Sequence, residues 1–337
     1  MATIFVTGGA GFIGSNFIRY WLSRYPDDLV VNYDLLTYAG NLESLTDVVE
    51  KYAQRYIFIK GDIGNYDLER YLFERYKPDY IVNFAAESHN SRAVVNPEVF
   101  YQTNVLGTQR LLQAATDARV ARLHHISTCE VYGDLPLDSD ERFSETSPYR
   151  PRTPYNASKA AADLAVRAYF ETFGLQATIS NCSNNYGPYQ FPEKLIPYFT
   201  IRLLQNMKMT LYKSSRNRRE WLHVDDHCRG IDLILKKGKI GETYNIGSGV
   251  EIDIETIADM LLDIFGLDKS YKTYVPDRPG HDRRYLLDSN KIRTELGWTP
   301  QIAFEEGFRE TVLWYKENSW WWKPLLKKLQ VDEGAWK

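Results

Sequence analysis

Cysteine is scarce in this chain: Cys129, Cys182 and Cys228 are widely separated, show no metal-ligand spacing, and leave one thiol over in any disulfide scheme. A disulfide-stapled fold and a cysteine-held metal are thereby disfavoured, no metal site is expected, and a reducing cytoplasm is the expected compartment. No hydrophobic stretch reaches membrane length. The apolar run of residues 1–6 leads straight into a glycine motif, without a basic flank or cleavage site, so neither export nor anchoring in a membrane is expected. Charge of one sign is also missing: 41 basic and 44 acidic residues spread along the chain for a net charge of −3, so no basic field exists and nucleic acid is not an expected partner. Internal repeats and low-complexity tracts are absent. What is present is a chain of 337 residues with 44% hydrophobic content, enough to bury a sizeable core in two modest domains or one large α/β unit.

Thr3-Ile4-Phe5-Val6 reads as a buried strand, Ile13–Ser23 as the helix after it, and Leu29–Tyr33 as a second strand ending at Asp34: a βαβ unit. Strand candidates at Tyr56–Ile59, Tyr80–Phe84, Leu123–Ile126 and Ala177–Cys182 alternate with helical stretches at Asn65–Tyr76, Asn104–Ala118 and Ala157–Phe173. This alternation predicts an α/β, Rossmann-like, doubly wound parallel sheet. From about Tyr186 the rhythm changes to proline-punctuated loops, a helix near Leu195–Gln205, and strands around Met209–Tyr212, Glu242–Ile246 and Tyr271–Tyr274. We read residues 1–185 as a cofactor-binding domain and 186–337 mainly as a smaller α/β substrate domain, with some chain exchanged between them. The polar segment Asp134–Pro154 is too long for an ordinary connection and reads as an active-site loop. The aromatic tail Trp320–Trp322 is expected to dock on the body or on a second subunit.

Gly8, Gly11 and Gly14 follow a strand and open a helix, the context that separates a dinucleotide site from a chance glycine pattern. Missing side chains let the backbone approach a pyrophosphate, whose charge sits at the positive end of the helix. Asp34 closes the next strand, where a carboxylate accepts bonds from the adenosine ribose and repels a 2′-phosphate, which favours NAD over NADP. Asp62 is expected either to contact adenine or to cap a helix. Tyr155 and Lys159 lie four apart at the start of a helix and can share a face. A nearby ammonium and a cationic nicotinamide ring can lower the phenol's pKa until it takes a proton from a sugar hydroxyl.

Together with Thr37-Tyr38-Ala39-Gly40-Asn41 and Ala85-Ala86-Glu87-Ser88-His89, these motifs resemble the dTDP-glucose 4,6-dehydratases of the extended short-chain dehydrogenase/reductase type. Ser183–Pro197 and Arg278–Tyr285 are long near-matches, so the resemblance spans nearly the full length. It implies bound NAD, with Phe12, Ile13, Ile63, Ala85 and Ala86 as further cofactor contacts, and a nucleotide-diphosphate sugar held by Ser88, His89, Asn184, Lys194, Arg219, His281 and Tyr285. It also implies a homodimer formed through the helices near Asn104–Ala118 and Ala157–Phe173. The implied chemistry is an internal redox cycle: oxidation at C4, loss of water across C5 and C6, and hydride return to C6. Thr128 matches the residue that bonds the C4 oxygen, and Glu130 the base at C5.

Where the family carries Thr-Asp-Glu, this chain reads Thr128-Cys129-Glu130. A thiol is protonated at neutral pH and can still donate a proton, although it is a weaker hydrogen-bond donor than a carboxylic acid. Three chemical outcomes follow: ordinary 4,6-dehydration, elimination that stops at an altered product, or C4 oxidation with epimerisation. A non-catalytic NAD-binding protein is a reading of another class, against which Tyr155, Lys159, Thr128 and Glu130 all argue. Other departures are Asn90-Ser91 for the family's Val-Asp, Lys213-Ser214-Ser215 for Gly-Asp-Gly, Asn181 for arginine and His223 for tyrosine; His223 is read as structural.

Overall fold

The computed structural model describes residues 1–277 and 279–329; Arg278 and the end of the expected second domain, 330–337, lie outside the described residues. Seven strands build the main sheet: β1 (Thr3–Thr7), β2 (Leu29–Asp34), β3 (Tyr56–Lys60), β4 (Tyr80–Asn83), β5 (Arg122–Thr128), β6 (Ala177–Cys182) and β7 (Thr243–Ile246). Their spatial order is β3-β2-β1-β4-β5-β6-β7, and every pairing is parallel. These strands are rich in Ile, Val and Phe because helices cover both faces, so neither side of the pleat meets water. One face carries Phe5, Val31, Ile81 and Leu123 against Leu111 and Val166. The other carries Ile4, Val6, Val30 and Val82 against Phe17, Trp21 and Ile231. Each such fully buried side chain contributes about 1.5–3 kcal/mol. The order reverses between β1 and β4, and in sheets of this kind ligands bind at the carboxyl ends of the strands beside that reversal.

The predicted elements form, with shifts at their edges that have local causes. The helix expected from Ala157 starts at Pro154, because proline suits a first helical turn and Thr153 Oγ1 accepts the Asn156 N–H at 3.2 Å as its cap. The helix expected at Asn104–Ala118 begins earlier, at Pro97, and passes through a π-helical stretch, Tyr101–Gly107, before its regular part, Thr108–Asp117. Thr243–Ile246, read with the C-terminal strands, instead pairs with β6 at the edge of the main sheet, and the helix Val224–Lys237 before it joins the core through Val224, Cys228 and Ile231. A short apolar strand gives no sign of its sheet until its partner is known.

A smaller assembly of Asn184–Tyr186, Arg218–His223 and Glu251–Asp253, with a parallel pair Met209–Tyr212 and Lys272–Val275, sits beyond β6 around Tyr186, Phe199, Trp221 and Phe304. The aromatic tail docks on the body: Trp321 and Trp322 are buried with Phe191 and Tyr315, and Trp321 Nε1 donates to Ser44 Oγ at 3.0 Å. Among the described residues no helix is long and apolar enough to cross a membrane, and no cluster of histidine, cysteine or carboxylate residues has metal-holding geometry.

Candidate active site

The turn after β1 is a backbone cradle. Gly8 has φ +67°, and a Cβ there would lie 2.6 Å from the Ala85 nitrogen; on Gly14 it would lie 2.4 Å from the Gly8 carbonyl oxygen. The helix that follows, Phe12–Arg24, starts at Gly11 without a side-chain cap and without an acidic residue in its first turn. Its leading N–H groups are thus left for an anion, as a pyrophosphate site requires. Asp34 ends β2 with Oδ2 accepting the Ala10 N–H at 2.9 Å and Oδ1 the Leu36 N–H at 2.7 Å. Burial nevertheless raises its pKa, outweighing both bonds. Asp62 makes a local turn, its Oδ1 accepting the Gly64 N–H at 2.8 Å, while Asn65 caps the next helix. Of the two expectations for Asp62 the cap is therefore excluded.

Gly8, Gly11, Phe12, Ile13, Gly14, Asp34, Asp62, Ile63, Ala85 and Ala86 all line one cavity of about 300 Å³. Its far end is formed by Thr128, Cys129, Glu130, Tyr155 and Lys159. The buried Ser183 Oγ, Asn184 Oδ1 and Gln190 Oε1 also belong to residues of this wall and have no hydrogen-bond partner among the described residues. Orphaned polar atoms of this kind mark where a polar ligand completes the bonding. Glycine cradle, uncapped helix, acid and orphans together fit a dinucleotide.

The reactive groups converge because β5 ends at Thr128, a tight turn holds Cys129–Tyr132, and the helix Pro154–Phe173 crosses beside it. Burial, followed by Glu130, pushes the Tyr155 phenol well above its usual range, against a lowering by the Thr128 side chain. Lys159 does not supply the expected lowering through a contact: its Nζ donates to the Ile126 carbonyl at 2.6 Å and lies 3.3 Å from His125 Nε2, and burial lowers the ammonium itself, with Asp163 opposing. A buried cation turns toward the nearest acceptors rather than toward a neutral phenol. Cys129 is 2% exposed, and burial and then Glu130 push its thiol well up, so it stays protonated. Glu130 Oε2 accepts from Asn90 Nδ2 at 2.8 Å.

A second cavity of about 310 Å³ adjoins the first, and Ser88, Glu130, Asn184, Glu193 and Lys194 line both. It brings together His89, Arg219, His281 and Tyr285 from segments far apart in sequence. Arg219 lies over the Tyr285 ring at 4.6 Å, and its Nη2 donates to the Asp282 carbonyl at 2.7 Å and sits 3.2 Å from His281 Nε2. Lys194 Nζ donates to the Ser88 carbonyl at 2.9 Å. The lining combines cationic donors with the apolar Leu195, Phe199, Leu211 and Val275, which suits a diphosphate attached to a base. His223 caps a helix by accepting the Asp225 N–H and sets its ring edge-on to Tyr186 at 5.2 Å, the structural place expected for it.

Sequence reading missed several wall residues. Tyr33, Tyr38 and Thr103 line the first cavity, and Tyr198, Phe199 and Tyr212 the second. Tyr38 lay inside a quoted motif, and its OH donates to Glu193 Oε1 at 2.8 Å while Arg92 stacks over its ring at 3.6 Å. Tyr33, Tyr198, Phe199 and Tyr212 carry no local signal, since an aromatic residue that faces a ligand looks like one that faces the core, and Thr103 is a lone polar residue within a helical stretch.

Comparison with known proteins agrees with this geometry. The family profile described as GDP-mannose 4,6 dehydratase matches residues 5–311. The dTDP-glucose 4,6-dehydratase 1 of Escherichia coli is 47% identical over 341 residues, covering 94% of each chain, and that of Mycobacterium tuberculosis is 48% identical over 323 residues, covering 96% of each. Among solved structures, the dTDP-glucose 4,6-dehydratase DesIV of Streptomyces venezuelae, with NAD bound, superposes with a TM-score of 0.92 at 49% identity, over 96% of this chain and 99% of that one. The UDP-glucose 4-epimerase of Thermotoga maritima shares the fold at a TM-score of 0.86 but only 28% identity, over 94% of this chain and 99% of its own. With nearly half of its residues shared along almost its whole length, this chain belongs to the dTDP-glucose 4,6-dehydratase family.

Proposed function

We propose that the protein is an NAD-dependent hydro-lyase that converts dTDP-glucose, or a closely similar nucleoside-diphosphate hexose, into its 4-keto-6-deoxy product. The observation that carries this reading is the position of Glu130, which lines both cavities at once and so stands where cofactor and hexose meet. Epimerisation is disfavoured because the epimerase similarity is 28% against 49% for a dehydratase. A pure binder has no use for a base at that junction.

When bound, NAD supplies the acceptor for the C4 hydride and the donor that returns it to C6. Gly8, Gly11, Phe12, Ile13 and Gly14 hold its pyrophosphate, Asp34 its ribose, Asp62 and Ile63 its adenine, with Ala85 and Ala86 as the wall. Tyr155 takes the proton of the C4 hydroxyl once the positive nicotinamide ring of bound NAD lowers a phenol that burial otherwise holds high, and Thr128 bonds the C4 oxygen. The resulting ketone acidifies C5, so the Glu130 carboxylate removes that proton while the Cys129 thiol protonates the departing C6 hydroxyl. Glu130 then gives its proton back to C5 as C6 is reduced. The proton gained at Tyr155 balances the one lost at Cys129, and exchange of both groups with solvent after product release restores them for the next turnover. Arg219, Lys194 and His281 meet the diphosphate, Tyr285 supports Arg219, and Ser88, His89 and Asn184 meet the sugar.

Residues 1–185, with Val224–Ile246 exchanged in, form the cofactor unit, and the rest of 186–337 mainly the sugar-nucleotide unit. The buried free thiols suit a cytoplasmic protein. A homodimer through the helices around Tyr101–Asp117 and Pro154–Phe173 is supported by the exposed Leu106, Leu164 and Phe173 on them; a single monomer-mass peak in light scattering would refute it. The decisive test incubates the enzyme with dTDP-glucose, UDP-glucose and UDP-N-acetylglucosamine in deuterated water, read by NMR and mass spectrometry. A 4-keto-6-deoxy product with deuterium at C5 is expected. C5 exchange or epimerisation with the C6 hydroxyl retained would overturn the dehydratase reading.

A further inference from the structure

One side chain outside the assigned catalytic set touches the base and the catalytic helix together. Asn90 is buried at 8% exposure, and its two amide ends make opposite kinds of bond. Nδ2 donates to Glu130 Oε2 at 2.8 Å, while Oδ1 accepts from Thr153 Oγ1 at 2.6 Å. Thr153 Oγ1 in turn accepts the Asn156 N–H at 3.2 Å, as the cap of the helix that carries Tyr155 and Lys159. A continuous chain of hydrogen bonds therefore runs from the carboxylate, through one amide, to the first turn of that helix.

We propose that Asn90 is a positioning residue that fixes the Glu130 carboxylate in register with the helix bearing Tyr155 and Lys159. The inference rests on the reading of Glu130 as the C5 base. Only a side chain that donates at one end and accepts at the other can make this bridge: valine does neither, and an ionised aspartate cannot donate. With Oε2 held by the amide, the carboxylate cannot swivel, and Oε1 is the oxygen presented to C5. The Cys129 thiol cannot take over this task, because it is a weak donor. Oxidation at C4 and proton removal at C5 occur on neighbouring carbons of one ring, so their two agents must keep a fixed separation. Asn90 sets that separation.

Two variants divide the role. In Asn90→Asp the acceptor for Thr153 survives while a second carboxyl, which repels Glu130, replaces the donor, whereas Asn90→Val loses both bonds without adding charge. With dTDP-glucose in deuterated water, Asn90→Asp is expected to slow C5 exchange and kcat about ten- to a hundredfold, the scale of one hydrogen bond to a charged group. KM should stay near wild type, and the thermal midpoint should fall because two buried carboxyls then adjoin. Asn90→Val should show the same kinetic loss and a lower midpoint as well. Wild-type C5 exchange in Asn90→Asp overturns the proposal, and so does a loss carried wholly by KM. Glu130→Gln is measured alongside. If it still exchanges C5, the base reading falls and the bridge with it. If Glu130→Gln abolishes exchange while Asn90→Asp leaves it untouched, the bridge alone falls.

Discussion

The two cavities are built by different means. The cofactor end is built round backbone, a glycine turn and a helix start in one βαβ unit, with Asp34 and a few side chains such as Asp62, Ser183 and Gln190 completing its wall. The sugar-nucleotide end is made of side chains, with Ser88, Glu130, Asn184, Arg219 and His281 arriving from five separate segments. A site made of backbone leaves a short, spaced pattern that sterics enforce. A site made of side chains can trade one residue for another wherever a neighbour compensates. The first kind should therefore fail through shape and the second through chemistry.

The sharpest break of this contrast is Glu130→Gln, which leaves shape intact and removes the base. Turnover is expected to fall about a thousandfold, within the range for removing a positioned general base. NAD content after purification should match wild type. Deuterium at C5 surviving in this variant would mean that the chemistry lies elsewhere in the wall.

Gly14→Val attacks the other cavity by shape alone. Its Cβ would lie 2.4 Å from the Gly8 carbonyl oxygen and 2.8 Å from the Gly9 Cα, both backbone atoms that cannot move aside. NAD affinity should drop about a hundredfold, the effect of an ångström-scale displacement, as read by titration calorimetry. Unchanged NAD affinity would show that the turn is not the cradle.

Cys129→Ala tests the chemical end more finely. C5 exchange should persist, because Glu130 remains, whereas formation of the deoxy product should slow about tenfold, below the range for a strong general acid because a thiol is a modest donor. Equal slowing of both steps would make Cys129 a packing residue.

How much was legible follows the same divide. Gly8 to Gly14, Asp34 and the Tyr155/Lys159 pair could be placed because each stands at a fixed offset from a strand or helix end. Asn90 could be seen only as a departure, and its bond to Glu130 appears only when residues 40 positions apart meet. Glu242–Ile246 reads locally as one of the shorter C-terminal strands for a similar reason, since its partner β6 ends some 60 residues earlier in the chain, beyond the reach of any local pattern. The direction in which Lys159 points was equally hidden, because it depends on the Ile126 carbonyl and His125.

The smallest expected effect lies behind the cofactor cavity, in the half that otherwise follows the rules. Glu69, on the helix Tyr66–Tyr76, is 0% exposed, and both its carboxyl oxygens lack a partner among the described residues. Burial, with Asp62 adding to it, raises its pKa to about 9. An acid whose folded-state pKa lies above its unfolded value holds its proton more tightly when folded. Stability is therefore full below the unfolded value of 4.5, falls as pH rises from there, and levels off once the pH passes about 9. Glu69→Gln removes the ionisation and keeps the shape. The variant should match wild type near the acid end of that window and gain stability toward its alkaline end. Thermal unfolding across the window measures it, and a gain independent of pH would show that Glu69 is not protonated in the fold. Because Glu69 does not line the cofactor cavity, NAD affinity should not change, which separates a flaw in the scaffold from a flaw in the cradle.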